Sequence, residues 1–235
     1  MLKNKKIIIP ACIIFVGVQA VLGYLIQRGE GSLITTRQYI SVVLAALFCF
    51  LSIEKSKPYI FTQIALLATV GADYFLVHIP QRDQLNGMIC FSIVQIFYFL
   101  RLISEDDNKK RRTVHLILRA SISVVSICVT LLVLKESADA LAVISVFYFA
   151  NLILNTVFAF INFKRSPILA LGLICFLLCD AVIGLANIGP YMQIPSDSFI
   201  HKLLNPGFDP AWAFYVPSQT LLSISILLQR LKKRV

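Results

Sequence analysis

Two aspartates, Asp73 and Asp180, stand in stretches that are otherwise apolar: "LLATVGADYFLVHIP" around the first and "LGLICFLLCDAVIGLANI" around the second. Burying a carboxylate in such surroundings is costly, and ionisable groups inside apolar spans usually mark a functional site or path. Two carboxyls facing one cavity hold unequal protonation, one keeping its proton while the other ionises. Such a pair can deliver a proton to one atom and activate a water to attack another. The chemistry these residue types suggest is therefore acid–base, provided that the fold brings the two together.

The elements that must do this are helices that cross a membrane. The chain is 58% hydrophobic and 14% charged, against about 45–50% and about 25% in soluble domains. A spanning helix needs about 20 mostly apolar residues. Eight windows qualify, at roughly 7–26, 38–53, 59–79, 87–103, 114–134, 139–162, 167–188 and 213–230. The basic start and the apolar run that follows it resemble a signal peptide. The run is long enough to span, however, and no clean cleavage site follows, so it reads as a first transmembrane helix. The breaks between windows are polar, charged or Pro-bearing, and the longest is "GPYMQIPSDSFIHKLLNPGFDPAW". No repeat, low-complexity segment or soluble domain interrupts them. The expectation is an all-α integral membrane protein, one helical domain over residues 1–235.

Charge asymmetry supports that count. With both termini cytoplasmic, the inside segments carry Lys3, Lys5, Lys6, Lys55, Lys57, Arg101, Lys109, Lys110, Arg111, Arg112, Arg119, Lys164, Arg165, Arg230, Lys232, Lys233 and Arg234. The outside segments keep Arg28, Arg37, Arg82, Lys135 and Lys202. This is the positive-inside bias, and it predicts eight helices with both ends in the cytoplasm. A seven-helix count would place one basic terminus outside.

At about 1.5 Å rise per residue, Asp73 lies about 22 Å from the start of the third helix and Asp180 about 20 Å from the start of the seventh. Both helices start on the same side, so both carboxyls fall at nearly one level in the outer half of the core. Other polar side chains join that layer: Gln95 and Tyr98 on the fourth helix, Tyr148, Asn151 and Asn155 on one face of the sixth, and Tyr215 and Gln219 on the eighth. Tyr74 and His78 lie beside Asp73. These tyrosines and amides are candidates for holding substrate or water. Their ordinary alternative is packing and interhelical hydrogen bonding.

The net charge of +10 is accounted for by basic residues between the spans, and no nucleic-acid motif accompanies it. The six cysteines all sit in apolar runs and read as small buried hydrophobes. Cys175 and Cys179 share a helix face without a nearby histidine to complete a zinc set. His78, His115 and His201 form no ligand set, since His115 belongs to the opposite side of the membrane.

In this order the motifs resemble the lysoplasmalogenase (YhhN-type) family of eight-helix membrane proteins, over about Lys57 to Gln229. "KP" at Lys57 opens the third helix, "TVGADYFL" resembles the family's S-x-x-G-D-x-x-L, and "GMICFSIVQIFYF" its glycine-phenylalanine helix. "LGLICFLLCD" resembles G-x-x-x-F-x-x-S-D, and "AFYVPSQTLL" the tyrosine-to-glutamine final helix. Ala72, Thr69, Cys179 and Gln95 stand where the family has Gly, Ser, Ser and usually His. The resemblance implies hydrolysis of the vinyl ether bond of lysoplasmalogens, of ethanolamine or choline type, to a fatty aldehyde and a glycerophospho-headgroup. Asp73 and Asp180 would be the catalytic acid/base pair, with no metal or organic cofactor required. The partners it implies are a lysophospholipid and the lipid bilayer, with no nucleic acid, and the location the bacterial cell (inner) membrane. Two alternatives stand beside it. One is a proton-coupled transporter or channel with the aspartates as a relay, although no inverted repeat or clearly broken helix pair is present. The other is a non-catalytic lipid-binding membrane protein.

Overall fold

The computed structural model describes residues 5–29, 33–51, 56–187, 195, 198–204 and 206–233. Among these the regular structure is helical: α1 (Lys5–Gln27), α2 (Leu33–Phe50), α3 (Lys57–Asp73), α4 (Gln84–Glu105), α5 (Lys109–Leu134), α6 (Ala140–Ile161), α7 (Pro167–Asn187), the short α8 (Phe199–Leu204) and α9 (Pro210–Lys233). Eight of these helices are long and apolar enough to cross a membrane. Each coincides with a window expected from the sequence, with ends shifted by a few residues. Lys3, Lys55 and Arg234 of the charge tally lie outside the described residues, as do residues 188–194 of the long connection.

Local chemistry sets the helix starts. Proline opens α3 behind Ser56, where its missing N–H costs nothing. The side chains of Asp83, Asn108 and Asp139 accept from Asn86, Arg111 and Ala142 N–H and so cap α4, α5 and α6. The outward faces are apolar, with Ile13, Ile14, Leu132 and Val133 all exposed, as suits a solvent of lipid chains. A helix meets most of its own backbone hydrogen bonds, which lipid cannot supply, and only the internal prolines of α1 and α9, Pro10 and Pro217, each withhold one donor.

The helices differ in how deeply they are enclosed. In the most apolar stretch of α9, 67% of residues are buried, against 6% in α5. α9 is the central post, packed against α1, α2, α3 and α7, while α5 is a peripheral helix held by α6. A close α7–α9 crossing depends on Gly172, where a Cβ would come within 2.9 Å of the Leu222 side chain and 3.2 Å of its backbone nitrogen. Ser218 donates to the Gly172 carbonyl at 2.9 Å across the same crossing. Small residues at such crossings let helices approach and add hydrogen bonds.

Two of the basic residues counted between the spans, Arg101 and Arg119, reach into the helix bundle instead. Arg101, on α4, is completely buried, and its Nε donates to Glu105 at 3.0 Å. Its Nη1 donates to Thr62 on α3 at 3.0 Å and to Ser225 on α9 at 2.7 Å. Glu105 accepts in turn from Ser166 at 2.7 Å. A hydrogen-bonded ion pair thus ties α3, α4 and α9 together below the candidate site. Arg119, on α5, centres a second polar cluster, made with amides and not with a carboxylate.

Candidate active site

Asp73 is the last residue of α3, and the chain does not leave the helix in the ordinary way. Tyr74–His78 winds as a π-helical turn, with the Ile79 N–H reaching back five residues to the Tyr74 carbonyl at 3.1 Å. Single π turns recur at functional sites because they re-aim neighbouring side chains. Asp73 points inward and is only 3% exposed. Its Oδ2 accepts from the Tyr215 hydroxyl of α9 at 2.6 Å. Asp180, near the far end of α7, is partly exposed. Its Oδ2 accepts from the Tyr148 hydroxyl of α6.

The two carboxyl–phenol pairs are neighbours. The Tyr215 ring packs on Phe176 at 5.7 Å, Phe176 on Phe91 at 5.7 Å, and Phe91 on Tyr148 at 5.5 Å. An unbroken aromatic chain therefore joins one phenol to the other. Asp73 and Asp180 lie within electrostatic reach of each other. Five helices contribute to the arrangement: α3, α6, α7 and α9 bring the four polar groups, and α4 brings Phe91. Asp73 and Asp180 thus stand in two like carboxyl–phenol units, one sealed and one partly open.

The amide candidates gather around a different group. Arg119 Nη1 donates to Asn151 Oδ1 at 2.5 Å, and its Nη2 donates to Asn155 Oδ1. Its guanidinium lies 4.0 Å above the Phe99 ring, within the reach of a cation–π contact. Asn155 Nδ2 donates to both the Oε1 and the backbone carbonyl of Gln95, at 2.9 and 2.8 Å. The polar layer expected at one level therefore divides. A carboxyl–phenol tier and an arginine–amide tier are set one to two turns apart along α6, from Tyr148 to Asn151 and Asn155. The sequence reading missed Arg119 because it counted that residue with the basic segment before α5. The available signal was its place five residues inside the apolar window.

The remaining candidates are placed as follows. Gln219 and Tyr98 are completely buried, and both amide ends of Gln219 and the hydroxyl of Tyr98 have no partner among the described residues. Gln219 lies one turn along α9 from Tyr215, on the same face. Buried polar atoms of this kind are normally met by ordered water or a ligand. Tyr74 does not join the tier. It is 43% exposed and sits in an aromatic group with Phe75, His78 and Tyr39, the last stacked on His78 at 4.6 Å.

A family model described as the YhhN family matches residues 33–226. The chain belongs to the YhhN family. The YhhN match takes in everything from α2 through most of α9, including every candidate named above, and leaves α1 outside. α1 is nonetheless tied in, through Gln19 Nε2 to the Ser41 carbonyl at 2.9 Å and Ser41 Oγ to Gln19 Oε1 at 2.6 Å. No curated protein and no solved structure matches the chain.

Proposed function

We propose that this YhhN-family protein is a membrane-embedded hydrolase that cleaves the vinyl ether bond of lysoplasmalogens. The observation that carries the reading is the twin arrangement of Asp73 with Tyr215 and Asp180 with Tyr148, joined through Phe176 and Phe91. Family membership is compatible with a hydrolase.

The chemistry follows from what a vinyl ether requires. One aspartic acid gives its proton to the alkene carbon remote from oxygen, and the alkene electrons form the new C–H bond. The carbon bonded to oxygen becomes an oxocarbenium centre, which a nearby carboxylate stabilises. Water then adds to that centre, and the carboxylate takes the proton that water loses. The resulting hemiacetal collapses, its C–O bond to glycerol breaking as the hydroxyl proton passes to the departing oxygen. The products are a fatty aldehyde and a glycerophospho-headgroup.

Each phenol occupies Oδ2 of its carboxyl, which leaves Oδ1 to exchange the proton. The aromatic chain between the pairs keeps bulk water away from the cation. Asp180 is the more open carboxyl and so the one a substrate approaches first. The residues that hold the lipid are drawn from Gln95, Tyr98, Tyr148, Asn151, Asn155, Tyr215 and Gln219. Tyr74 would contribute only from the outer rim of the site.

The direct experiment is aldehyde release from a purified lysoplasmalogen by the protein in detergent. Asp73→Asn and Asp180→Asn should each abolish turnover while leaving a folded, monodisperse protein. Full turnover in both variants would end the two-carboxylate mechanism. Ion-dependent uptake into proteoliposomes without aldehyde release would favour transport instead.

A further inference from the structure

Gln219 buries a whole amide with nothing from the protein to bond it. It is 0% exposed, and neither Nε2 nor Oε1 meets a partner among the described residues. A primary amide carries two donors and an acceptor with two lone pairs. Leaving these bare inside a bundle is costly, and an apolar side chain of the same length would avoid that cost. Sites of this kind hold water, given two to four polar partners for it.

Two hydrogen-bond bridges fix where Gln219 lies. At one end Tyr215 of α9 donates to Asp73 of α3. At the other, Arg101 of α4 donates to both Thr62 of α3 and Ser225 of α9. From Thr62 to Asp73 α3 advances eleven residues, and from Tyr215 to Ser225 α9 advances ten. The two helices therefore run antiparallel over nearly equal lengths, about 15–17 Å. Thr69, one turn from Asp73, stands level with Gln219, one turn from Tyr215. Thr62, Leu66, Thr69 and Asp73 form one stripe of α3 at helical spacing, and all four are buried. Thr69 Oγ1 donates to the Ala65 carbonyl at 3.0 Å, and its oxygen keeps a lone pair for an incoming donor.

Side-chain direction narrows the remaining gap. A helical Cα–Cβ bond tilts toward the helix N-terminus. α9 starts at the Asp73 end, so Gln219 leans toward the level of Asp73. α3 starts at the Arg101 end, so Asp73 leans toward the level of Thr69. The two side chains converge across a rise of about 6 Å, which one water spans with two hydrogen bonds of about 2.8 Å each. Tyr215 occupies Asp73 Oδ2 and leaves Oδ1 for that water. We propose that Gln219, together with the Thr69 hydroxyl, is the positioning residue for the hydrolytic water, holding it on Asp73 Oδ1, where its proton passes as it adds to the cation. This rests on the vinyl ether reaction given above.

That reaction needs such a seat. The oxocarbenium centre of a lysoplasmalogen has a competing nucleophile already attached, the free hydroxyl on the middle glycerol carbon. If that oxygen bonds to the cation and its proton goes to the carboxylate, the product is a five-membered cyclic acetal. It is an isomer of the substrate, and neither aldehyde nor glycerophospho-headgroup is released. A water already in place lets hydrolysis outrun ring closure.

The test follows the products formed from a 1-alkenyl-glycerophosphocholine, separated by chromatography and identified by proton NMR. The detergent-purified full chain is compared as wild type, Gln219→Met and Thr69→Val. Wild type should release aldehyde. Gln219→Met should lower aldehyde release about ten-fold, the scale of one hydrogen bond lost from the transition state, and raise the share of cyclic acetal by a similar factor. Thr69→Val should shift the ratio the same way by less, and it carries the test alone if the glutamine variant does not fold. A merely structural role would lower turnover without moving the ratio. An unchanged aldehyde-to-acetal ratio in either folded variant would overturn the proposal. Thermal melting is read in parallel and needs no turnover. A water-bonded amide makes Gln219→Met less stable than wild type, whereas an equal or higher melting temperature would show the amide bare and overturn the seat. A wild type that leaves the vinyl ether intact defeats the reaction, and the melting comparison then decides the water seat by itself.

Discussion

Tyr215 donates a 2.6 Å hydrogen bond to Asp73 across 142 residues of chain, and Tyr148 repeats the arrangement on Asp180. Each phenol orients its carboxyl and lies one aromatic contact from the chain of rings that connects the pairs. Tyr215→Phe and Tyr148→Phe should therefore each lower kcat for aldehyde release by about 10- to 100-fold, the scale of one hydrogen bond to a charged group. Asp73→Asn and Asp180→Asn should cost more, about 10²- to 10⁴-fold, the scale of a lost general acid or base. Steady-state kinetics on the four variants test this order. Phenylalanine variants as inactive as the asparagine ones would mean that the phenols do more than orient.

Arg101 and Glu105 form a buried ion pair held by Thr62, Ser225 and Ser166. Removing one member strands the other's charge. Arg101→Met should cost about 3–5 kcal/mol in unfolding free energy. The double change Arg101→Met with Glu105→Leu should cost less than the single one. Denaturant unfolding in detergent gives both numbers, and a double variant worse than the single would show that the pair stabilises the bundle beyond cancelling its own desolvation.

Gly172 sets the α7–α9 distance, and those helices bring Asp180 and Tyr215 to the site. A methyl group there would meet the Leu222 side chain and its backbone nitrogen, so relief by side-chain movement alone is not available. Gly172→Ala should destabilise by about 1–3 kcal/mol, as overpacking does, and Gly172→Val by more. Thermal melting reads the first effect. A fall in kcat larger than the loss of folded protein would read the displacement of the two functional helices.

Asp106 lies in the short connection between α4 and α5. Hydrogen bonds from Arg111, at 2.5 and 2.6 Å, hold its carboxyl below the usual carboxylate range, against partial desolvation, with a backbone bond from Asn108 adding to the effect. A carboxyl whose pKa is lowered on folding contributes stability above its unfolded value, about 3.9, and loses it as pH falls through its folded value. The stability difference between wild type and Asp106→Asn should be constant above about pH 5. It should shrink as the pH drops further. Melting curves across that range check the direction, and a difference that grows on acidification would contradict it.

The sequence by itself determined the class and the spans. Apolar runs of membrane length, broken by proline and charge, can satisfy their backbones only as helices, so eight spanning helices follow from the one-dimensional pattern. It also marked Asp73 and Asp180, because a lone carboxyl in an apolar run stands out without any fold. Rise per residue was enough to put them at similar levels. What depth could not supply was lateral position. Rotation of each helix about its axis decides whether an intramembrane polar group meets a carboxyl, another amide or lipid, and rotation is set by packing between helices far apart in sequence. Only the tertiary structure therefore gave Asp73 to Tyr215 and Asp180 to Tyr148. It alone turned Tyr74 outward and drew Asn151, Asn155 and Gln95 away to Arg119. The two intramembrane arginines show the same limit. In sequence each sits near a basic segment and reads as part of it. A guanidinium can be carried into a span only where other helices supply its hydrogen bonds, and those partners, Glu105 apart, lie 32 to 124 positions away.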